Sequence, residues 1–308
     1  MLASGGRQGA QVRMHGTRIS LHLGALCTDD DLLVSSLRWN TSALSEIGIE
    51  IPKPNRYRPL LRQIFERLDG RAANQDTQDV LFEQLTNEEE LERLYLSHPF
   101  LLANHPGAFC NGMLYPNAGE RSAAIRNLFP DNPVDFVISV RDPATWIPAL
   151  FSHQNPELTF EEFVDKLDPE HLLWSDVIRD IRETNPDIPI TVWCNEDSPL
   201  IWPELMHEVL GLDQKFELRG SYRVLQKIMH KEGIKRLRSY LGTHPPVNEI
   251  QRRRIVAAFL DKYALTDEIE EEYDLPGWTP ELIDQLSAIY DDDMMEIARI
   301  PGVNLITP

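Results

Sequence analysis

Short apolar runs alternate along the chain with stretches in which apolar residues recur every three or four positions. The first run, ISLHL at 19–23, ends at Gly24, and the stretch after it places Leu32, Leu33, Leu37 and Leu44 at helical spacing. In NRYRPLLRQIFERLDG, the positions of Leu60, Leu61, Ile64, Phe65 and Leu68 predict a helix stopped by Gly70. QDVLFEQL and NEEELERL predict two further short helices. Residues 94–96 predict a second strand closed by Ser97-His98-Pro99, because proline disfavours helical geometry before it and cannot donate to a central ladder. The span 103–120 contains Gly107, Gly112, Pro116 and Gly119 and reads as a long irregular segment, of the kind that serves as a lid or is mobile. VDFVISV at 134–140 is the clearest strand, apolar and β-branched like strands buried on both faces, and ITVWC at 190–194 is the fourth.

Helical patterns at 122–129, 144–153, 160–167 and 172–184 separate these strands. Strands alternating with helices specify βαβ units, so the predicted fold class is α/β, a parallel sheet flanked by helices. Beyond Asn195 the pattern is helical, over 200–210, 222–241, 249–263 and 280–300. The expected organisation is a flexible leader at 1–16, an α/β core at 17–212 and a helical C-terminal extension at 213–308 packed on the core.

A hydrophobic share of 42% over 308 residues is enough for a substantial core. No run is long enough to cross a bilayer, and the first 16 residues lack the apolar block of a signal peptide. A cytoplasmic protein with no membrane partner is therefore expected. Cys27, Cys110 and Cys194 lie far apart, without a C-x-x-C pair or a histidine spacing that suggests zinc. They read as reduced thiols, and no metal site is assigned. The net charge of −19 excludes general nucleic-acid binding. Within this acidic chain, residues 215–254 carry eleven Lys/Arg against three acids. Arg219, Arg223, Lys227, Lys231 and Lys235 recur every four residues, which on one helix makes a basic face. That island either forms an anion-facing wall or pairs with the acidic run TDEIEEEYD at 266–274.

Ligands of open parallel sheets bind outside the carboxyl ends of the strands, which directs attention to 24–31, Ser97-His98, Arg141-Asp142 and 195–197. RISLHLGALCTDDDLLVSSLRWN has the strand, turn and helix layout of a phosphate-cradling loop, yet Asp29, Asp30 and Asp31 stand in the turn. Such aspartates suit a helix start on dipole grounds, with Thr28 or Asp29 as cap. An Asp-x-Asp element also bridges metals in sugar-nucleotide transferases, the second account of the same residues. Glu196 and Asp197 read as caps of the helix that follows Ser198-Pro199.

LHLGALCTDDDLLVSSLRWNTSALSEIGI resembles the opening of bacterial sulfotransferase-like proteins, and FVISVRDPATWIPALFSHQ and PITVWCNEDSPLIWPELMHEVLGL resemble their second and third landmarks, in order over 18–212. The resemblance implies a P-loop-related fold that binds 3′-phosphoadenosine 5′-phosphosulfate and transfers its sulfuryl group to the hydroxyl or amine of an acceptor, a glycan or small molecule left unspecified. It places His22, Gly24 and Thr28 in the donor loop and Arg141 on the 3′-phosphate, a bidentate partner. The companion serine position is Ala149, with Ser152 almost one helical turn further. His98 stands where the general base is expected. Against the family pattern, Cys27 occupies the lysine position, Asp29 the glycine, and Asp30 and Asp31 the hydroxyl positions. Like charges in contact cost on the order of a few kcal/mol at surface-like screening, so this degenerate loop is a poor host for a polyanion. Three functions remain open: sulfuryl transfer, binding on a catalytically silent scaffold, and metal-dependent nucleotide-sugar transfer. The oligomeric state is not read from the sequence.

Overall fold

The four apolar runs become the centre of one parallel sheet in the computed structural model, which describes residues 16–110, 112–153, 158–165, 167–269 and 273–308. The strands are β1 (Arg18–His22), β2 (Ile49–Glu50), β3 (Arg93–Ser97), β6 (Val134–Val140), β7 (Ile190–Cys194) and β8 (Val303–Ile306), with β4 (Phe109–Cys110) and β5 (Met113–Leu114) forming a separate antiparallel pair. The sheet order is β2-β3-β1-β6-β7-β8 and every pairing is parallel. β1 lies between β3 and β6, and His22 is in register with Ser97 on one side and Val137 on the other. The loops leaving these three strands therefore start side by side.

Period-two alternation assigns the two faces. Ile19, Leu21, Leu94, Leu96, Phe136, Ile138, Val140, Ile190 and Val192 point into the larger core, shared with helices Pro54–Leu68, Gln75–Leu85, Ala118–Arg126, Pro143–Phe151, Trp174–Thr184 and Pro280–Ala298. Tyr95, Val137, Trp193 and Ile306 face the smaller core under helices Leu32–Leu37 and Ser198–Glu208. A third, small cluster of Leu225, Met229, Ile234, Leu237 and Val256 joins the helices Arg223–Ile228, Lys231–Thr243 and Glu249–Tyr263. No helix among the described residues is long and apolar enough to cross a membrane.

Four expectations change. The segment NEEELERL forms no helix; its acidic half is loop and its end becomes β3, because three consecutive acids leave no apolar face to bury. The span 103–120 is partly ordered: a 3-10 turn His105–Gly107, the β4–β5 pair and the start of Ala118–Arg126 occupy it. The pattern at 222–241 breaks at Met229, whose extended backbone bridges Ala264. Its basic residues thus divide between a loop and two helices instead of lining one face, and ion pairs run from Arg236 to Glu232, from Arg252 to Glu249 and from Arg253 to Glu204. Lastly, the C-terminal stretch is not helical throughout, since β8 returns to the sheet edge beside β7. The proposed leader, apart from Gly16, and residues 270–272 of the acidic run lie outside the described residues.

Helix Ala118–Arg126 crosses helix Trp174–Thr184 at Gly119, whose N–H donates to Asp180 Oδ2 at 2.6 Å. A Cβ here would run into Thr184 Oγ1 and stand 2.7 Å from the Asp180 carbonyl oxygen. Gly119→Ala is therefore expected to destabilise the chain by about 1–3 kcal/mol through overpacking, read as a lower urea midpoint; an unchanged midpoint would refute this close packing.

Candidate functional site

The turn after β1 begins as an extension of the sheet. Ala25 N–H donates to Ser139 O at 3.1 Å, and Ser139 N–H donates to Gly24 O at 3.0 Å. Gly24 has φ of 107°, and a Cβ on it would stand 3.0 Å from Pro99 O, so glycine is required by both conformation and contact. The chain then folds back under protein donors and acceptors. Leu26 N–H donates to Tyr115 Oη at 2.9 Å, while Trp146 Nε1–H donates to Leu26 O at 2.8 Å. Arg141, itself buried, donates from Nη1 to Cys27 O at 2.8 Å and from Nε to Thr145 Oγ1 at 2.9 Å. Thr28 Oγ1 donates to Ala25 O at 2.7 Å, closing the turn on itself.

The three aspartates separate by role. Asp29 Oδ2 accepts from Leu33 N–H at 2.9 Å, so it caps the helix as dipole arguments expect. Asp31 receives both Nη groups of Arg58, at 2.8 and 2.6 Å, and this pair holds its carboxyl below the usual range although burial opposes it. Asp30 is exposed. A bridging metal would need carboxylates that the helix and Arg58 already occupy.

His22 and His98 stand on either side of Ser97. His22 is buried beside the rings of Tyr95 and Trp193, a 3.2 Å hydrogen bond joins its Nδ1 to Ser97 Oγ, and burial lowers its pKa. Arg58 Nε–H donates to Ser97 O at 2.9 Å, tying the end of β3 to the ion pair. His98 Nδ1 accepts from Phe100 N–H at 3.2 Å. Burial, then the Arg58 charge, pushes His98 down to about 4, so at neutral pH the ring is uncharged and its proton sits on Nε2. In that state His98 offers a donor; accepting a proton would mean giving up the Phe100 bond. It lines a cavity of about 480 Å³ together with Arg62, Phe65, Asn104, Asn117 and Arg121, floored by Leu61, Leu101 and Leu102. The Arg121 guanidinium lies 5.0 Å over the Phe65 ring and donates to Leu101 O at 2.8 Å.

Of the residues singled out in sequence, His22, Gly24, Thr28, His98 and Arg141 gather at the carboxyl edge of the sheet. Ser152 does not join them: its hydroxyl donates to Ala149 O at 2.6 Å, back onto its own helix. Arg141 neither pairs with Asp142 nor stands open as a phosphate fork; it braces the turn. Asp142 caps Pro143–Phe151 by accepting from Ala144 N–H at 2.8 Å. Glu196 is no cap either, because its Oε1 accepts from Asp142 N–H at 2.9 Å and joins the ends of β6 and β7. Tyr115, Trp146 and Arg58 escaped sequence reasoning. They reach the turn across 89, 120 and 27 residues, and nothing local marks them.

No family model matches the chain, and no curated protein does. A sulfotransferase from Alicyclobacillus acidocaldarius, known from its crystal structure, is similar with a TM-score of 0.39 at 14% identity, covering 78% of this chain and 97% of that one.

Two outcomes follow from the geometry. Arg141→Met removes a charged donor and strands the Cys27 carbonyl, and is expected to cost about 3 kcal/mol, measured by urea denaturation; a loss below about 1 kcal/mol would show that the turn stands without it. His98 has a folded-state pKa below its unfolded value, so the unfolded chain takes up its proton first and stability is lost as pH falls from about 6.5 toward about 4. His98→Asn should flatten that decline in melting temperature, and parallel pH profiles would contradict the assignment.

Proposed function

We propose that the chain is a ligand-binding protein on a sulfotransferase-like α/β scaffold, with the turn at 24–31 withdrawn from donor chemistry. The observation that carries this reading is the brace on the turn: the Arg141 guanidinium is engaged by Cys27 O and Thr145 Oγ1. A phosphosulfate donor needs that guanidinium, a loop cation and open backbone donors. Here the loop supplies Cys27 for the cation and three carboxylates for its surroundings. Transfer of a sulfuryl group from 3′-phosphoadenosine 5′-phosphosulfate, and metal-dependent sugar-nucleotide chemistry through the aspartates, are the readings that this one displaces.

The ligand belongs in the neighbouring cavity. Among the described residues its cations are Arg62, which pairs with Glu66 at 2.9 Å, and Arg121, its donors include His98 and two asparagines, and Leu61, Leu101 and Leu102 give it apolar lining. A small molecule with an anionic group and an aromatic or aliphatic body fits that lining. Such a molecule falls within the small-molecule class expected of an acceptor.

Calorimetric titration with 3′,5′-bisphosphoadenosine, with and without Mg²⁺ or Mn²⁺, is expected to give no binding heat at millimolar ligand. Metal-free binding that Arg141→Met abolishes would reinstate the donor site, and binding that requires the cation would favour the sugar-nucleotide reading. Saturation-transfer NMR with 4-nitrophenyl sulfate should detect an anionic aromatic probe on the wild type and a much weaker signal on Arg121→Met. Equal signals would remove the cavity from the proposal.

A further inference from the structure

Three segments far apart in sequence meet beside the turn at 24–31. Cys27 comes from the turn itself, His105 opens the 3-10 turn His105–Gly107, and His153 follows the helix Pro143–Phe151. One ligand atom of each, the Cys27 sulfur and a ring nitrogen from each histidine, all lie within 4.8 Å of one another. The two imidazoles are stacked, with centroids 4.7 Å apart and planes at 24°. The set contains no carboxylate.

A thiolate with two imidazoles is the donor set of late first-row divalent ions, and it disfavours Mg²⁺ and Ca²⁺, which take oxygen. Tetrahedral Zn²⁺ takes sulfur at about 2.3 Å and nitrogen at about 2.0–2.1 Å, which spaces the ligand atoms roughly 3.3–3.6 Å apart. The present spacing is thus within about 1.5 Å of coordination geometry, a gap of the size that side-chain rotation closes. Packing gives little reason for the trio, because His153 is exposed and Cys27 and His105 are half-buried.

The backbone around the set is fixed on each side. Cys27 has φ of 56°, in the left-handed region that a residue with a Cβ seldom occupies. It is kept there by Arg141 on its own carbonyl and by Tyr115 and Trp146 on Leu26. The 3-10 turn that carries His105 is capped by Asn104, whose side chain accepts from Gly107 N–H at 3.0 Å. His153 N–H donates to Leu150 O at 3.1 Å, which fixes its backbone at the helix end. Burial raises the Cys27 thiol to about 11 with the Arg141 charge opposing it, so the uncoordinated sulfur carries its proton; a bound cation displaces it.

We propose that Cys27, His105 and His153 form a binding site for a late first-row divalent cation, Zn²⁺ foremost, with the fourth position open to water or an anionic ligand. Three protein ligands with one open position is the arrangement of zinc sites that engage a substrate. One dication less one thiolate adds a net positive charge beside the aspartate turn, at the position where the resemblance expects lysine. The metal site borders the cavity beside His98, since His105 meets the Phe100 ring of its lining, but its test reads metal uptake and needs no ligand in that cavity.

The test uses the untagged full-length chain. Equilibrium dialysis against Zn²⁺ followed by elemental analysis should give one ion per chain, with affinity falling about 100-fold or more in Cys27→Ser and in His153→Ala. With Co²⁺ as probe, visible d–d bands and a near-ultraviolet thiolate-to-cobalt band are expected, the latter lost in Cys27→Ser. Should that variant fail to fold, the exposed His153→Ala decides alone. Affinity unchanged in the folded variants, or no uptake by the wild type at micromolar free Zn²⁺, would overturn the site.

Discussion

A buried guanidinium at the end of β6 holds the turn after β1, and the rest of the site is arranged around that contact. Arg141 has to satisfy its donors inside the protein because burying an unpaired charge is costly, and Cys27 O and Thr145 Oγ1 supply acceptors. Tyr115 and Trp146 grip the preceding peptide from other elements. Leu26 and Cys27 therefore keep one conformation, with Cys27 in the left-handed region. What the parallel sheet contributes is position: β1 and β6 are adjacent and in register, so Arg141 needs only its own length to reach the turn.

Electrostatics then decides what this edge of the sheet welcomes. The aspartates do not form a single negative cup, since one caps a helix, one is neutralised by Arg58 and one faces solvent. Arg58 also binds Ser97 O, so the same cation that quiets Asp31 adds to burial in depressing the His98 pKa. Further along the edge, Arg62, paired with Glu66, and Arg121, over the Phe65 ring, line the cavity beside His98. The Cys27, His105 and His153 cluster lies beside the turn and borders the cavity, because His105 meets the Phe100 ring and sits between the lining residues Asn104 and Gly107.

The architecture followed from pattern because the physics there is local. Alternating apolar runs and helical periods specified a parallel α/β sheet, and strands β1, β3, β6 and β7 formed where apolar residues concentrate. Elements with weak local signals were lost. β2 has two residues and β8 four, and both exist because a neighbouring edge was there to pair with. The helical pattern over 222–241 broke at Met229 because a tertiary partner, Ala264, offered a bridge that periodicity does not record.

By itself the sequence determined that the turn after β1 holds three carboxylates and no lysine, that Gly24, Thr28, His98 and Arg141 would collect at strand ends, and that Gly24 would be a turn glycine. Those statements depend on composition and on the one-edge geometry of parallel strands. Only the tertiary structure decided what each group does there. Asp31 meets Arg58, Arg141 meets Cys27, and Cys27 meets two histidines 78 and 126 positions away. Partners that distant are chosen by how helices pack across the sheet, and no spacing within one segment encodes that choice.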